Sequence, residues 1–157
     1  VTQAIASVEN IPIEALIAHR PPMILIDRVV EWAEDAIRVA VVVRENAPFM
    51  VDGHIPAYVA VEYMAQAIAA YSGLKARQNQ QPVRIGFLLG TRRLTLAATT
   101  FEPGQDLIVE CETLYNDGEM ASFDCRTLRD GQVVAAAALN VFQPASDRPL
   151  TDLATHG

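Results

Sequence analysis

The chain is short of the residues on which several kinds of chemistry depend. Two cysteines and three histidines (His19, His54 and His156) stand among 157 residues. With no CxxC and no His/Cys spacing of a metal site, neither a zinc module nor a disulfide framework is expected. Basic residues are outnumbered, 12 Lys and Arg against 19 Asp and Glu, for a net charge of -7 and a pI near 4.8. Nucleic acid is thereby excluded as the main partner, because phosphate binding needs an excess of cations, and an acidic partner must find a local basic patch. A bilayer-spanning run is lacking too: the most apolar stretch, from Ala57 to Gly73, is 17 residues long and carries Glu62 and Gln66, which a lipid-facing helix rarely tolerates. No charged n-region followed by an apolar h-region opens the sequence, so a cytoplasmic protein is expected. There Cys111 and Cys125 are expected to be buried thiols. A turn at Asn116-Asp117-Gly118 would nevertheless bring them onto one face of neighbouring strands, where a disulfide is conceivable.

What the chain does have is apolar bulk. At 51% hydrophobic residues it can bury a core without crosslinks. Residues 1–142 read as a single domain and residues 143–157, with Pro144, Ser146, Asp147, Pro149 and Asp152, as a mobile tail. Leu107, Val109, Cys111, Thr113 and Tyr115 alternate with Ile108, Glu110, Glu112, Leu114 and Asn116, the period of a half-buried strand. Two more strands should follow near Ala121–Leu128 and Gln132–Phe142, turning at Asp117-Gly118 and Asp130-Gly131. Upstream, Arg28–Trp32 and Ile37–Arg44 form a pair joined at Glu34-Asp35, and Ile85–Leu96 supplies a sixth strand.

One helix, from Ala57 to Ala76, is apolar nearly all round, as a helix enclosed by other elements is. Ala60, Ala65, Ala67, Ala69, Ala70 and Gly73 keep it thin enough for a curved sheet to approach. The expected class is α+β: an antiparallel sheet of about six strands wrapped around one long central helix, the hot-dog arrangement. A short amphipathic turn at Pro12–Ala18, stopped by Pro21-Pro22, should cover one end of the sheet.

Two titratable residues stand out. His54 lies in Gly53-His54-Ile55-Pro56, between a flexible glycine and a rigid proline that fix its angle. Glu62 is the one carboxylate inside the apolar helix, costly unless something uses it. Gln66, one turn later on the same face, could hold that carboxylate by a hydrogen bond. If the helix starts near Ala57, Glu62 sits roughly 8 Å along its axis, so His54 would have to fold back to meet it, and contact across a twofold dimer is easier. Each residue also has a plainer reading, His54 as a hydrogen-bonded loop residue and Glu62 as a buried polar group. Tyr58, Tyr63, Met64 and Tyr71 fit core or dimer contacts. Arg92-Arg93 could be a solvated strand end. With Lys75, Arg77 and Arg84 it is also the best local basic patch, where an acidic partner could dock.

The segment from His19 to Val29, His-Arg-Pro-Pro-Met-Ile-Leu-Ile-Asp-Arg-Val, resembles the opening signature of hot-dog 3-hydroxyacyl-(acyl carrier protein) dehydratases. Gly53-His54-Ile55-Pro56 resembles their catalytic loop, and Glu62-Tyr63-Met64-Ala65-Gln66 the part of their central helix that carries the acid. The likeness continues more weakly through Gly86 and Pro103-Gly104, over about residues 15–142. It departs where only seven residues separate His54 from Glu62, fewer than in the usual dehydratases, and where the segment Gly86–Pro103 is longer. The short loop is similar to a dehydratase-like subgroup of aryl-polyene pathways.

The resemblance implies a lyase that removes water from carrier-bound 3-hydroxyacyl chains without metal or diffusible cofactor. His54 would take the C2 proton, and Glu62 of the other subunit, protonated or acting through a water, would assist loss of the C3 hydroxyl. Enclosure in an apolar helix favours a protonated carboxyl, as a donor needs. Amides of the first helical turn, around Ala57, Tyr58 and Val59, would polarise the thioester carbonyl. Expected partners are an acyl carrier protein and either a second copy or another hot-dog subunit. Two alternatives stay open: a hot-dog thioesterase using Glu62 on water or thioester, and a catalytically impaired partner subunit of a dehydratase complex.

Overall fold

The structure, a computed structural model, describes residues 8–144. Most of the expected tail, and His156 with it, lies outside the described residues. The strands are β1 (Arg28–Trp32), β2 (Ala36–Val42), β3 (Ile55–Pro56), β4 (Phe87–Leu96), β5 (Thr100–Phe101), β6 (Asp106–Asn116), β7 (Met120–Arg129) and β8 (Gln132–Phe142), with one α-helix, α1 (Ala60–Gln78). Six of them form one antiparallel sheet in the order β1-β2-β6-β7-β8-β4, as the alternation implied. The short β3 and β5 pair separately, a feature too brief to leave a period in the sequence.

The meander β6-β7-β8 forms where alternation and turn chemistry agree. Asp130 and Gly131 both take positive φ, +52° and +77°, the two-residue hairpin geometry that Asp-Gly favours. At the other turn the Asp117 carboxylate accepts from the amides of Glu119 and Met120 at 3.0 and 2.7 Å, which holds its pKa below the usual carboxylate value. Leu107, Val109 and Cys111 are buried, and across the ladder so are Phe123, Cys125 and Thr127. Tyr115, expected on this face, is exposed, because a bulge between Thr113 and Tyr115 breaks the alternation. Cys111 and Cys125 face each other directly and are free thiols. Burial first, then the hydrogen bond with Cys125, pushes the Cys111 thiol well up, which disfavours a thiolate there.

Helix α1 begins three residues later than the sequence suggests. Pro56 precedes a 3-10 turn over Ala57–Val59, and regular helix follows from Ala60. Tyr63, Met64, Ala67, Ala70, Tyr71 and Leu74 are buried against the sheet. The helix is not enclosed on every side: Glu62, Ala65, Ala69 and Ser72 form a half-buried stripe. Val61 and Lys75 are also half-buried.

The segment before β1 packs under this helix. The amphipathic turn over Pro12–Ala18 is only one 3-10 turn, Ile13–Ala15, but Ile13, Leu16 and Ile17 are buried. Gly73 permits the approach, since a Cβ there would meet the Leu16 carbonyl oxygen at 2.0 Å and its carbon at 2.8 Å. Gly73→Ala is therefore expected to destabilise the fold by about 3 kcal/mol, the upper range for overpacking. Urea unfolding should show it, and an unchanged midpoint would mean that the helix can shift freely.

Candidate active site

Asp52 and Gly53 take φ of +50° and +81°, and Val51 and His54 exchange backbone hydrogen bonds at 2.7 and 3.0 Å around them. His54 is thus fixed at the end of a two-residue Asp-Gly turn, held by geometry where the sequence suggests glycine flexibility. Next, β3 pairs with β5, Ile55 opposite Phe101 and Pro56 opposite Thr100, which brings Glu102 beside the loop. His54 Nδ1 lies 2.6 Å from Glu102 Oε2, and both side chains keep nearly half their exposure, 47% and 45%. Nothing in the sequence links these residues except the two-residue strand pairing.

Glu62 lies among different neighbours. Gln66, fully buried, donates from Nε2 to Glu62 Oε1 at 3.2 Å and to the Met23 carbonyl at 2.7 Å, while its Oε1 accepts from the Leu25 amide at 2.8 Å. Gln66 thus makes the hydrogen bond to Glu62 that the helix spacing suggests, and it also staples the helix to the segment before β1. His19 Nε2 stands 3.7 Å from Glu62 Oε1, within ion-pair reach but beyond a hydrogen bond. Its buried Nδ1 has no hydrogen-bond partner among the described residues. His19 is the residue sequence reasoning left out of the site, although it opens the His-Arg-Pro-Pro segment. The enclosure expected of Glu62 is corrected: its side chain keeps 35% of its exposure.

That exposure faces a cavity of about 470 Å³. Glu62 and His19 stand on its wall, and Ile68, Ile85, Phe87 and Leu88 give it apolar sides. His54 is not among its lining residues. Within one chain, then, the structure groups Glu62 with His19 and Gln66, and His54 with Glu102. The cavity borders β4, an edge strand of the sheet, where Phe87, Leu88, Leu89, Leu94 and Leu96 are all exposed.

Of the three amides expected to polarise a carbonyl, that of Ala57 is engaged, donating to the Thr99 carbonyl at 2.9 Å. Val59 is buried and Tyr58 exposed. The four arginines are spread over different elements. Arg84 lines both the Glu62 cavity and a neighbouring cleft with Lys75, and its guanidinium donates to Gln143 Oε1 at 3.0 Å. Arg77 is exposed in the last turn of α1, whereas Arg92 and Arg93 lie within β4 at a bulge, not at a strand end.

The model of the ApeP-like family, described as ApeP dehydratase, matches residues 11–153. The chain belongs to the ApeP-like dehydratase family. Among its relatives is the 3-hydroxyacyl-[acyl-carrier-protein] dehydratase FabZ of Anaeromyxobacter sp. (strain K), 33% identical over 132 residues, covering 80% of this chain and 83% of that protein. The FabZ of Streptococcus pyogenes serotype M3 (strain ATCC BAA-595 / MGAS315) is 28% identical over 130 residues, covering 81% of this chain and 92% of its own. A solved chain from the dehydratase heterocomplex ApeI:P of Xenorhabdus doucetiae superposes with a TM-score of 0.87 at 29% identity, over 92% of this chain and 98% of that one. The hot-dog fold and the dehydratase activity follow for this member of the family.

Proposed function

We propose that the chain converts 3-hydroxyacyl thioesters on an acyl carrier protein to trans-2-enoyl thioesters, in fatty-acid-like or polyene biosynthesis. One observation carries this reading: a carboxyl side chain, Glu62, opens onto a largely apolar cavity of about 470 Å³, room for part of an acyl chain. In the reaction His54 Nε2 removes the C2 proton, the electron pair forms the C2–C3 double bond, and Glu62 delivers a proton to the departing C3 hydroxyl, which leaves as water. The amides of Tyr58 and Val59 are assigned to the thioester oxygen, since that of Ala57 already has a partner.

Two chains complete each site. His54 and Glu62 have separate neighbours within one chain, and among the described residues β4 lies at the sheet edge with several exposed apolar side chains beside the cavity; β4 is taken as the strand along which two subunits pair, the histidine of one meeting the carboxyl of the other. The partner is a second copy of the chain, as a twofold dimer requires; the alternative is a distinct hot-dog subunit, as in the heterocomplex that holds the similar solved chain. Leu89→Asp should then cost the dimer about 3 kcal/mol or more, as an uncompensated buried charge does. Light scattering would read this as monomer, and an unchanged dimer would move the interface elsewhere. Arg92 and Arg93, on the same strand, are assigned to that interface, and Arg77 and Arg84 with Lys75 to carrier docking. A cytoplasmic reaction is part of this reading. Among the described residues no helix is long and apolar enough to cross a membrane.

The test is mass spectrometry of 3-hydroxyacyl carrier protein incubated with the purified chain, alone and with a coexpressed hot-dog partner. Loss of one water from the carrier-bound acyl group is expected. Release of free carrier thiol would select a thioesterase instead, and activity only with the partner would assign the chain a supporting subunit's role.

A further inference from the structure

Glu102 takes no part in the proton transfers above, yet it is the closest polar partner of the base. We infer that Glu102 is the positioning residue of His54, fixing its tautomer and ring orientation; the inference rests on His54 acting as the base. Glu102 is itself held from three directions. Its amide donates to Gln105 Oε1 at 2.9 Å, Thr100 Oγ1 donates to its Oε1 at 3.3 Å, and its other oxygen meets His54 Nδ1 at 2.6 Å. Arg129 buttresses this corner, donating to the Thr100 carbonyl at 3.3 Å and to Gln105 Oε1 at 3.4 Å. The histidine side is fixed separately, by the Asp52-Gly53 turn and the β3-β5 pair.

The chemistry follows from the acceptor. A carboxylate only accepts hydrogen bonds, so Nδ1 carries the hydrogen and Nε2 keeps its lone pair for the substrate proton. Once Nε2 takes that proton, the imidazolium forms against a carboxylate already in contact, with no reorganisation. An exposed ion pair does little for stability. The contact is therefore expected to matter to turnover far more than to folding.

The test combines 15N-histidine NMR with steady-state kinetics on the active dimer, the His54 signals being assigned by their loss in His54→Ala. In the unmodified protein neutral His54 should show the Nδ1–H tautomer. Glu102→Ala should give a mixture of tautomers and a kcat lower by about 10-fold to 100-fold, taking as guide the loss seen when the orienting partner of a metal-bound histidine is removed, with KM nearly unchanged. Glu102→Gln retains an acceptor oxygen in the same shape, so it should recover the tautomer and part of kcat; it also serves if the alanine variant folds poorly. An unchanged tautomer in Glu102→Ala, or full turnover, overturns the inference. Full turnover in His54→Ala would instead remove the base assignment, a failure the kinetics separate from that of Glu102.

Discussion

His54→Ala is expected to lower enoyl-thioester formation by about 1,000-fold, the middle of the range that a positioned general base contributes. The side chain is 47% exposed on a turn whose backbone bonds do not involve the imidazole, so the variant should keep its fold and its partner. The measurement is the initial rate of water loss from 3-hydroxyacyl carrier protein, followed beside thermal unfolding. A stable, dimeric His54→Ala protein with unchanged turnover would take His54 out of the mechanism. The exposure matters to the argument, since a buried histidine could lower activity merely by unsettling the core.

Glu62→Gln is expected to reduce kcat by about 100-fold with KM little altered, because the amide keeps the shape but cannot deliver the proton to the leaving hydroxyl. Gln66 can still donate to the new amide oxygen, as it now does to Oε1 at 3.2 Å, so the helix should remain stapled to Met23 and Leu25. Kinetics with a saturating substrate series would read this directly. Full activity would point to an acid drawn from solvent or from His19, which stands 3.7 Å away.

The sheet and the helix were legible where a period and a turn signal coincide. Alternation from Leu107 to Cys111 and the Asp130-Gly131 turn describe the meander almost residue by residue, and the small side chains of α1 announce close approach, realised at Gly73 over Leu16. Asp52-Gly53 carries the same turn signal as Asp130-Gly131. It escapes notice because its flanks, Val51 and His54, are too short to alternate. Glu102 was invisible for a related reason: it reaches His54 through a strand pair of two residues, and no spacing rule spans 48 positions. His19 lay in view inside a motif, but only the packing of Leu16 and Ile17 beneath the helix aims it at Glu62. The half-exposure of Glu62 was also hidden, since helical periodicity cannot tell a stripe facing a cavity from one facing a core.

Mixing the two inactive variants tests most directly the claim that each site is shared between subunits. When His54→Ala and Glu62→Gln chains are coexpressed and exchange freely, half the dimers should be mixed. Each mixed dimer then carries one intact pair, His54 from one chain and Glu62 from the other, so turnover should return to about a quarter of the unmodified rate. If both groups act within a single chain, every chain in the mixture lacks one of them. Mixed dimers confirmed by mass spectrometry but showing no recovered water loss would contradict the account.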